Sequence, residues 1–587
     1  MASYASVSSV SAGKPLSLRD RLNRRYAAMK TERQSWDSHI RDVFDLTRPR
    51  RTRFSTSQHN KGDRRNYQII DNTGVIASRV LTSGLVNGMS SPAQDWFKYE
   101  PQDLELLEYG PAKHWIGLLE RLVRRIFDAS NVYEVLPVIY DELGLAGTGA
   151  AIIEDDFEDV IRMTPFTWGE YALAINSRRV VDTLYRETKM TVIQGVQAFG
   201  LKNVSSTVRN LYDTSNYDHT FDVMHAIEPN VDRDPGKNDN RNMPFRSVYW
   251  EPACSGPDSD KFLRRSGYKQ NPIVAPRWEV IGNDVYGSTC PGMEALGDMR
   301  QLQIQQKRKG EAIEKHVRPP TQGGRSLSDR FISTLPGAHN VMANMQDGGA
   351  KPIYEVKPDI QQFVADIEDT RGRVNRTFYV DYILSISQIE GVQPRNQWEI
   401  SERKGEGLMV LSNVVQRISN ECHNPLHERV INRIYDVCVP LWQMGEPAML
   451  PPPPPELQGV PMRVVYVSPL AKIQKMAGVS STERLLDVAA RYAQVLPGLR
   501  RKINEEQAID VLADQLGVAE GVVRSDDEVA ALAQQEAQQQ QMAQVAAMAP
   551  AAAQFAQAGK ALSETNVGGG KGAMEALLDQ AREENAA

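Results

Sequence analysis

Apolar residues recur at three- and four-residue spacing along several stretches of the chain, and each such stripe predicts a helix with one face against a core. The first covers residues 18–44, where Leu18, Leu22, Met29, Trp36, Ile40 and Val43 are separated by Arg, Glu and Asp. Ser17 and Asp20 form a capping pair at its start. Residues 71–89 predict a second helix. A third covers 115–127, with Trp115, Leu118, Leu119, Leu122 and Ile126 on one face, and a fourth covers 132–145. That fourth segment runs into Gly144, Gly147 and Gly149 and then into an apolar strand at 150–154. Short strands are expected over 160–164, 171–175 and 180–188, and a loop over 229–242, which is rich in Asp, Asn, Gly and Pro.

The second half opens on a strand-like run at 273–280 and a turn at Gly282, Asn283 and Asp284. Residues 293–317 predict a helix of roughly 35 Å at 1.5 Å per residue. Leu296, Met299 and Leu302 begin an apolar stripe there, but residues 305–311 are polar on every side. A helix without an apolar face bridges domains, packs beside copies of itself, or is unstable alone; packing against copies is the preferred reading. Residues 319–357, rich in Gly and Pro, read as a small insert containing β-structure, and 359–379 as helix again. Residues 383–396 read as a loop. Over 398–420, Leu408, Leu411, Val415 and Ile418 share a stripe, which Pro425 should break or kink before Leu426, Val430 and Ile434 resume it. The prolines at 451–455 make a stiff linker, 482–516 reads as helical, and the Gln/Ala-rich tail is expected to stay mobile or to order on assembly. The fold class is α+β, predominantly helical.

Composition narrows the function. With 587 residues, the chain is too long for one core and suggests about three or four structural units. Its 68 basic and 74 acidic residues leave a net charge of -6. Proteins that grip nucleic acid are usually basic, so DNA, if a partner, is expected to be held loosely. The four cysteines, Cys254, Cys290, Cys422 and Cys438, lie far apart without CxxC spacing, which disfavours a disulfide framework or a zinc knuckle. No window approaches the ~18 apolar residues of a membrane span. The first fourteen residues lack the basic start and apolar centre of a secretion signal, so synthesis in a cytoplasm and no membrane association are expected.

Candidate chemistry is sparse. No GxxxxGK[ST] occurs, and Gly144, Gly147 and Gly149 stand in the wrong order for a dinucleotide loop, which favours a turn or close packing. His423 and His427 are four apart beside Cys422, but Pro425 interrupts the segment and HExxH is absent; they read as surface or interface histidines. Glu154, Asp155, Asp156, Glu158 and Asp159 read as a solvated hairpin end before a cation site. The basic stretch 48–53 reads as a solvated loop, with contact to nucleic acid or a neighbouring subunit as its alternative. No enzyme activity, cofactor or metal is expected.

Five strings, taken together and in this order, resemble the portal, or head-to-tail connecting, proteins of short-tailed double-stranded DNA phages. They are RYAAMKTERQSWDSHIRDVF (25–44), TGVIASRVLTSGLVNGMSSPAQDW (73–96), DELGLAGTGAAIIED (141–155), VDTLYRETKMTVIQGVQAFG (181–200) and DVYGSTCPGMEALGDM (284–299). The resemblance spans most of residues 18–439 and implies the portal fold with wing, stem, clip and crown. By position it implies an N-terminal arm (1–17), a wing (18–292), a first stem helix (293–317), a clip (318–357) and a second stem helix (358–382). A tunnel loop (383–396), a kinked helix with the return to the wing (397–469), a crown (470–529) and a C-terminal tail (530–587) follow.

It also implies a homo-oligomeric, typically dodecameric ring at the portal vertex of the virion. Double-stranded DNA would pass through it, without regard to sequence, during packaging and ejection. The implied partners are the packaging ATPase (the large terminase subunit), tail adaptor proteins, and capsid and scaffolding proteins. Lys307, Arg308, Lys309, Lys315 and Arg318 are the candidate DNA-channel residues, although pairing with acids on adjacent subunits is equally open to them. The tunnel loop carries Ile389, Glu390, Gly391, Val392, Gln393, Pro394 and Arg395. Arg325, Arg330 and Phe331 are candidate docking residues of the clip. The rival readings are another capsid or tail scaffold and a DNA-packaging ATPase, the latter lacking its Walker signature.

Overall fold

The computed structural model describes residues 17–51, 53–54, 62, 64–103, 106, 109–237, 239–254, 258, 260–317, 321–322, 351–352, 360–387, 411–467, 539 and 560. Helix α1 (Leu18–Thr47) begins where Ser17 Oγ accepts the Asp20 amide at 3.1 Å. Leu22, Met29, Ile40, Val43 and Phe44 are buried along it, so the apolar stripe is its inner face. Arg33 is buried with them, and its guanidinium donates to the carbonyls of Gly169 at 2.8 Å and Tyr171 at 2.9 Å. A buried cation is tolerable only with such partners.

Helices α2 (Thr73–Met89), α3 (Gly110–Ala129) and α4 (Val132–Ala146) follow, with strand β1 (Phe97–Pro101) between α2 and α3. Trp115, Ile116, Leu119, Val123, Ile126 and Phe127 line the buried side of α3. Helix α4 is buried along nearly its whole length and ends at Gly147, in the left-handed conformation at φ 71°. The chain at Gly287 packs directly on this turn: a Cβ on Gly287 would lie 2.0 Å from the Gly147 carbonyl oxygen. Turn and close packing, the roles expected for this glycine cluster, are what these residues perform.

Two antiparallel sheets fill the centre. Strands β2 (Ala150–Asp155), β3 (Ile161–Phe166) and β9 (Ile273–Val274) make a three-stranded sheet in the order β3-β2-β9. Strands β4 (Tyr171–Ile175), β5 (Val181–Thr191), β6 (Thr220–Pro229), β7 (Phe245–Trp250) and β8 (Arg264–Tyr268) form the other in chain order. Alternate side chains serve opposite faces. Met224, Ala226, Val248 and Trp250 pack with Leu22 and Met29 of α1. Val223 and Tyr249 pack instead with Val192, Phe199 and Val208 of two short helices, α5 (Val192–Phe199) and α6 (Ser206–Asp213). The strand expected over 273–280 is only two residues long. Pro276 has no amide to donate, and beyond Val274 the contacts reduce to single bridges, Thr148 with Arg277 and Glu279 with Thr289.

A one-turn helix, α7 (Pro291–Glu294), leads into α8 (Leu296–Val317). Strands β10 (Thr321–Gln322) and β11 (Lys351–Pro352) pair at the base of the expected insert, and α9 (Ile360–Thr377) returns beside α8. Tyr379, at φ 57°, turns the chain into α10 (Val380–Ser387). Residues 383–387, expected to open a loop, are helical, and the rest of that expected loop, 388–396, lies outside the described residues. Gly84 of α2 explains the difference: a Cβ there would lie 2.6 Å from Ile383 Cγ2, so its absence lets α10 pack close against α2.

Helices α11 (Ser412–Ile418) and α12 (Asn424–Met444) are joined by a π-helical turn, Ser419–His423. Pro425 was expected to break or kink the helix. The α-helical pattern is interrupted there: the Asn424 amide reaches back to the Ser419 carbonyl, and this wider turn places Pro425 at the start of α12, where a missing N–H is tolerated. Finally β12 (Met462–Tyr466) pairs antiparallel with β1, setting Phe97 opposite Tyr466.

Two expectations about charged stretches are corrected. The basic segment at 48–53 is not a solvated loop. Arg48 donates to Asp141 at 3.1 Å, while Arg51 binds both Asp141 and Glu142, whose side chains are 3% and 0% exposed. Nor is the polar stretch of α8 left wholly for copies of the chain, since part of it is bonded within the subunit.

Candidate functional site

Helix α8 has two sides with different fates. Leu296, Met299 and Leu302 are buried, as are Ile367 and Val374 of α9 beside it and Phe378 just after it. Asp298 accepts from Arg373 Nε at 3.0 Å across the pair. One turn further, Gln303 Oε1 accepts the amides of Ile70 at 2.7 Å and Asp71 at 2.8 Å, and its Nε2 donates back to the Asp71 carbonyl at 3.1 Å. Gln306 Nε2 and Arg371 Nη2 both donate to Asp71 Oδ2, at 3.0 and 2.7 Å. Asp71 Oδ1 accepts the Thr73 amide at the start of α2. Burial acts to raise the Asp71 pKa, but the hydrogen bonds from Thr73 and Arg371 outweigh it and hold the carboxyl below its ordinary value. One carboxylate thus ties α2, α8 and α9 together. The two glutamines need no apolar face because their partners are backbone and carboxylate groups.

Beyond this knot the outer side of α8 is exposed. Lys307, Arg308 and Lys315 are exposed and Lys309 is half-buried. Among the described residues none of the four forms an ion pair, whereas Arg300, Arg371 and Arg373 pair with Asp42, Asp71 and Asp298. Glu311 and Glu314 are also exposed, Glu311 standing one turn from both Lys307 and Lys315. The result is a line of cations broken by acids, able to attract an anion but not to bind it tightly. Ile304, Ile313 and Val317 are also exposed on α8, as are Phe363 and Val364 on α9. Arg318, the loop residues from Ile389 to Arg395, and Arg325, Arg330 and Phe331 lie outside the described residues. So do the segment expected to be a crown (470–529), most of the expected clip (318–357), and all of the expected tail (530–587) but residues 539 and 560.

His423 and His427, read from sequence as surface or interface groups, are buried within the subunit at 1% and 0% exposure. Tyr140 Oη lies 2.7 Å from His423 Nε2, and Tyr99 Oη lies 2.8 Å from His427 Nδ1. The Trp96 ring packs on both imidazoles, with centroids 5.1 and 5.3 Å away. Burial pushes His423 down to about 3 and His427 well below its ordinary value, so both are neutral at pH 7. These residues lock α12 to α4 and to the β1–β12 ribbon. Among the described residues no group of three His, Cys, Asp or Glu side chains is placed to hold a metal ion, and no helix is long and apolar enough to cross a membrane.

Sequence reasoning located the cations of α8 but missed Asp71, Arg371 and the glutamine knot. The Asp-Asn-Thr opening of α2 was a readable capping signal, but nothing local revealed that residues some 230 and 300 positions away would converge on it.

The family model for the bacteriophage head to tail connecting protein matches residues 19–523. The portal protein of Salmonella phage epsilon15 is 42% identical over 549 residues, covering 93% of this chain and 96% of that protein. The probable portal protein of Bordetella phage BPP-1 is 40% identical over 526 residues, 89% of this chain and 92% of that protein. A solved structure, the virion of a native gene transfer agent particle, aligns over 81% of this chain and 95% of that one. Its 10% identity and TM-score of 0.28 are too low to bear on the fold.

Proposed function

Because the chain belongs to the family of bacteriophage head to tail connecting proteins, we propose that it is a structural portal subunit that assembles into a ring, a dodecamer, at one capsid vertex. Duplex DNA passes through the ring during packaging and ejection. The observation that carries this reading is the 42% identity to a portal protein over 93% of the chain. The subunit acts by shape and charge, without catalysis.

Within the ring, α8 and α9 serve as the stem and α8 faces the channel. Supporting this are Lys307, Arg308 and Lys315, exposed and without an ion pair among the described residues, while neighbouring arginines are satisfied inside the subunit. Their interruption by Glu311 and Glu314 suits a surface over which DNA slides, since continuous phosphate neutralisation would hold the duplex in place. The insert between β10 and β11 is the clip. It seats the packaging ATPase, the large terminase subunit, and later the tail adaptors, while the wing meets capsid and scaffolding proteins. Residues 389–395 form the loop that grips DNA inside the channel.

Electron microscopy of the purified protein tests the reading: rings with an axial opening wide enough for duplex DNA are expected. A stable monomer that hydrolyses ATP would overturn it. Deleting residues 389–395 should leave rings intact while packaged DNA is lost, measured by nuclease protection. Failure of that variant to assemble would refute the loop assignment alone.

A further inference from the structure

The turn between β2 and β3 is an acidic tip built around one outward aromatic ring. Asp156 Oδ1 accepts the amides of Glu158 at 2.7 Å and Asp159 at 3.3 Å, and Val160 closes the turn at φ 70°. A β-branched residue adopts that left-handed conformation only under strain, so the tip is held in one shape. Phe157 stands out from it, 99% exposed, flanked by Asp156, Glu158 and Asp159. Among the described residues no ring contact or hydrophobic cluster involves it.

At the other end of the same small sheet a cleft of about 360 Å³ opens between the β4–β5 turn, the chain after β9 and the π-helical turn. Ile273, Val280 and Pro425 contribute apolar walls, and Arg178, Arg179 and Arg417 supply positive charge. The turn carrying two of these arginines is fixed by Asn176, whose Oδ1 accepts the amides of Arg178 at 2.9 Å and Val180 at 3.1 Å. Arg179 occupies the left-handed region at φ 62°, a position that ordinarily favours glycine or asparagine. Among the described residues Arg178 and Arg179 form no ion pair, while Arg277 and Arg417 in the wall already bind Glu421. Exposed Val180 and Ile281 extend the apolar surface at the mouth.

The tip and the cleft match in size, polarity and charge, yet they do not meet within one chain. Val274 pairs with Ala151, and Phe157 lies six residues further along the hairpin, roughly 20 Å away at ~3.3 Å per residue. We propose that the Phe157 hairpin of one copy inserts into the arginine-bearing cleft of the next. The ring would sit against the apolar walls, and Glu158 and Asp159 would face Arg178 and Arg179. Two unlike patches at opposite ends of one sheet make a head-to-tail contact, and repeating it through a fixed rotation closes a ring. The proposal rests on the ring assembly inferred above and names the contact that joins its subunits.

Cysteines at the two sides test it directly. A chain carrying Phe157→Cys and Val180→Cys, oxidised after assembly, should run as a ladder of multimers without reductant. Either single variant should run as the monomer. A disulfide needs Cα atoms within about 7 Å, so closure inside one chain does not imitate this result. Phe157→Ala should raise the concentration needed for assembly about tenfold or more while leaving the melting temperature unchanged, because the ring is 99% exposed. Arg178→Glu with Arg179→Glu should also weaken assembly, and Glu158→Arg with Asp159→Arg should restore it in the same chain. If the unmodified protein forms rings but the double-cysteine chain stays monomeric and Phe157→Ala assembles normally, this contact is wrong and the ring reading stands. If the unmodified protein forms no ring, both fall.

Discussion

In the body of the subunit, Arg33, Asp141, Glu142, His423 and His427 are each 3% exposed or less, and every one is hydrogen-bonded inside the chain. Along the outer side of α8, Lys307, Arg308 and Lys315 are exposed and have no ion-pair partner among the described residues. Similar side-chain chemistry thus serves opposite ends. In the body the charges fix how elements of one chain meet, and an unpaired member would be costly there. On α8 the cations contribute little to the subunit's own stability and remain available to another molecule.

The largest expected effect comes from breaking the buried side of this contrast. Asp141→Ala removes the acceptor shared by Arg48, Arg51 and Thr82, and should cost about 3–5 kcal/mol in urea unfolding, because two partly buried guanidiniums lose the carboxylate they share. A loss below about 1 kcal/mol would mean that this cluster does not hold α1 and α4 together.

A smaller effect is expected from pH. Unfolded histidines take up protons near their ordinary value of 6.5, whereas burial keeps His423 neutral down to about 3, and His427 and His225 are lowered as well. Their contribution is therefore present above about pH 6.5 and is lost as pH falls from there toward 3. Glu142 acts with the opposite sign. Burial pushes its pKa up from 4.5 to about 8 against the pull of Arg51, so its contribution weakens as pH rises through that interval. Urea midpoints measured from pH 4 to pH 9 should peak near neutrality and fall on both sides, and His423→Asn should flatten the acid limb. An acid limb identical in that variant would remove His423 from the account.

The smallest expected change in stability, and the sharpest test of the other side, is the triple variant Lys307→Ala, Arg308→Ala and Lys315→Ala. Its melting temperature should match that of the unmodified chain. Retention of packaged DNA should become less sensitive to salt, as fewer phosphate contacts release fewer counterions. A destabilised subunit would show that these cations belong to the body's network after all.

Much of the first half of the fold was readable from local pattern. Helices α1 to α4 lie where the apolar stripes place them, Ser17 caps α1 as expected, and Gly147 ends α4. The readings that failed did so where distant partners decide. His423 and His427 looked like surface or interface residues because imidazole is polar, and only Tyr140, Tyr99 and Trp96 make their burial tolerable. Residues 383–387 looked like loop until Gly84, some 300 positions earlier, is seen to admit Ile383.

By itself the sequence determined the helical stripes, the caps and turns, the family resemblance and the polar character of α8, all properties that neighbouring residues encode through 3.6- and 2-residue periodicity. Tertiary structure alone decided which charges are buried and which face outward, how β1 finds β12, and where Gln303, Gln306 and Arg371 meet Asp71. The reason is physical. Periodicity records which side of an element faces inward, but the cost of burying a charge depends on partners hundreds of residues away, and those are assigned only when the chain packs.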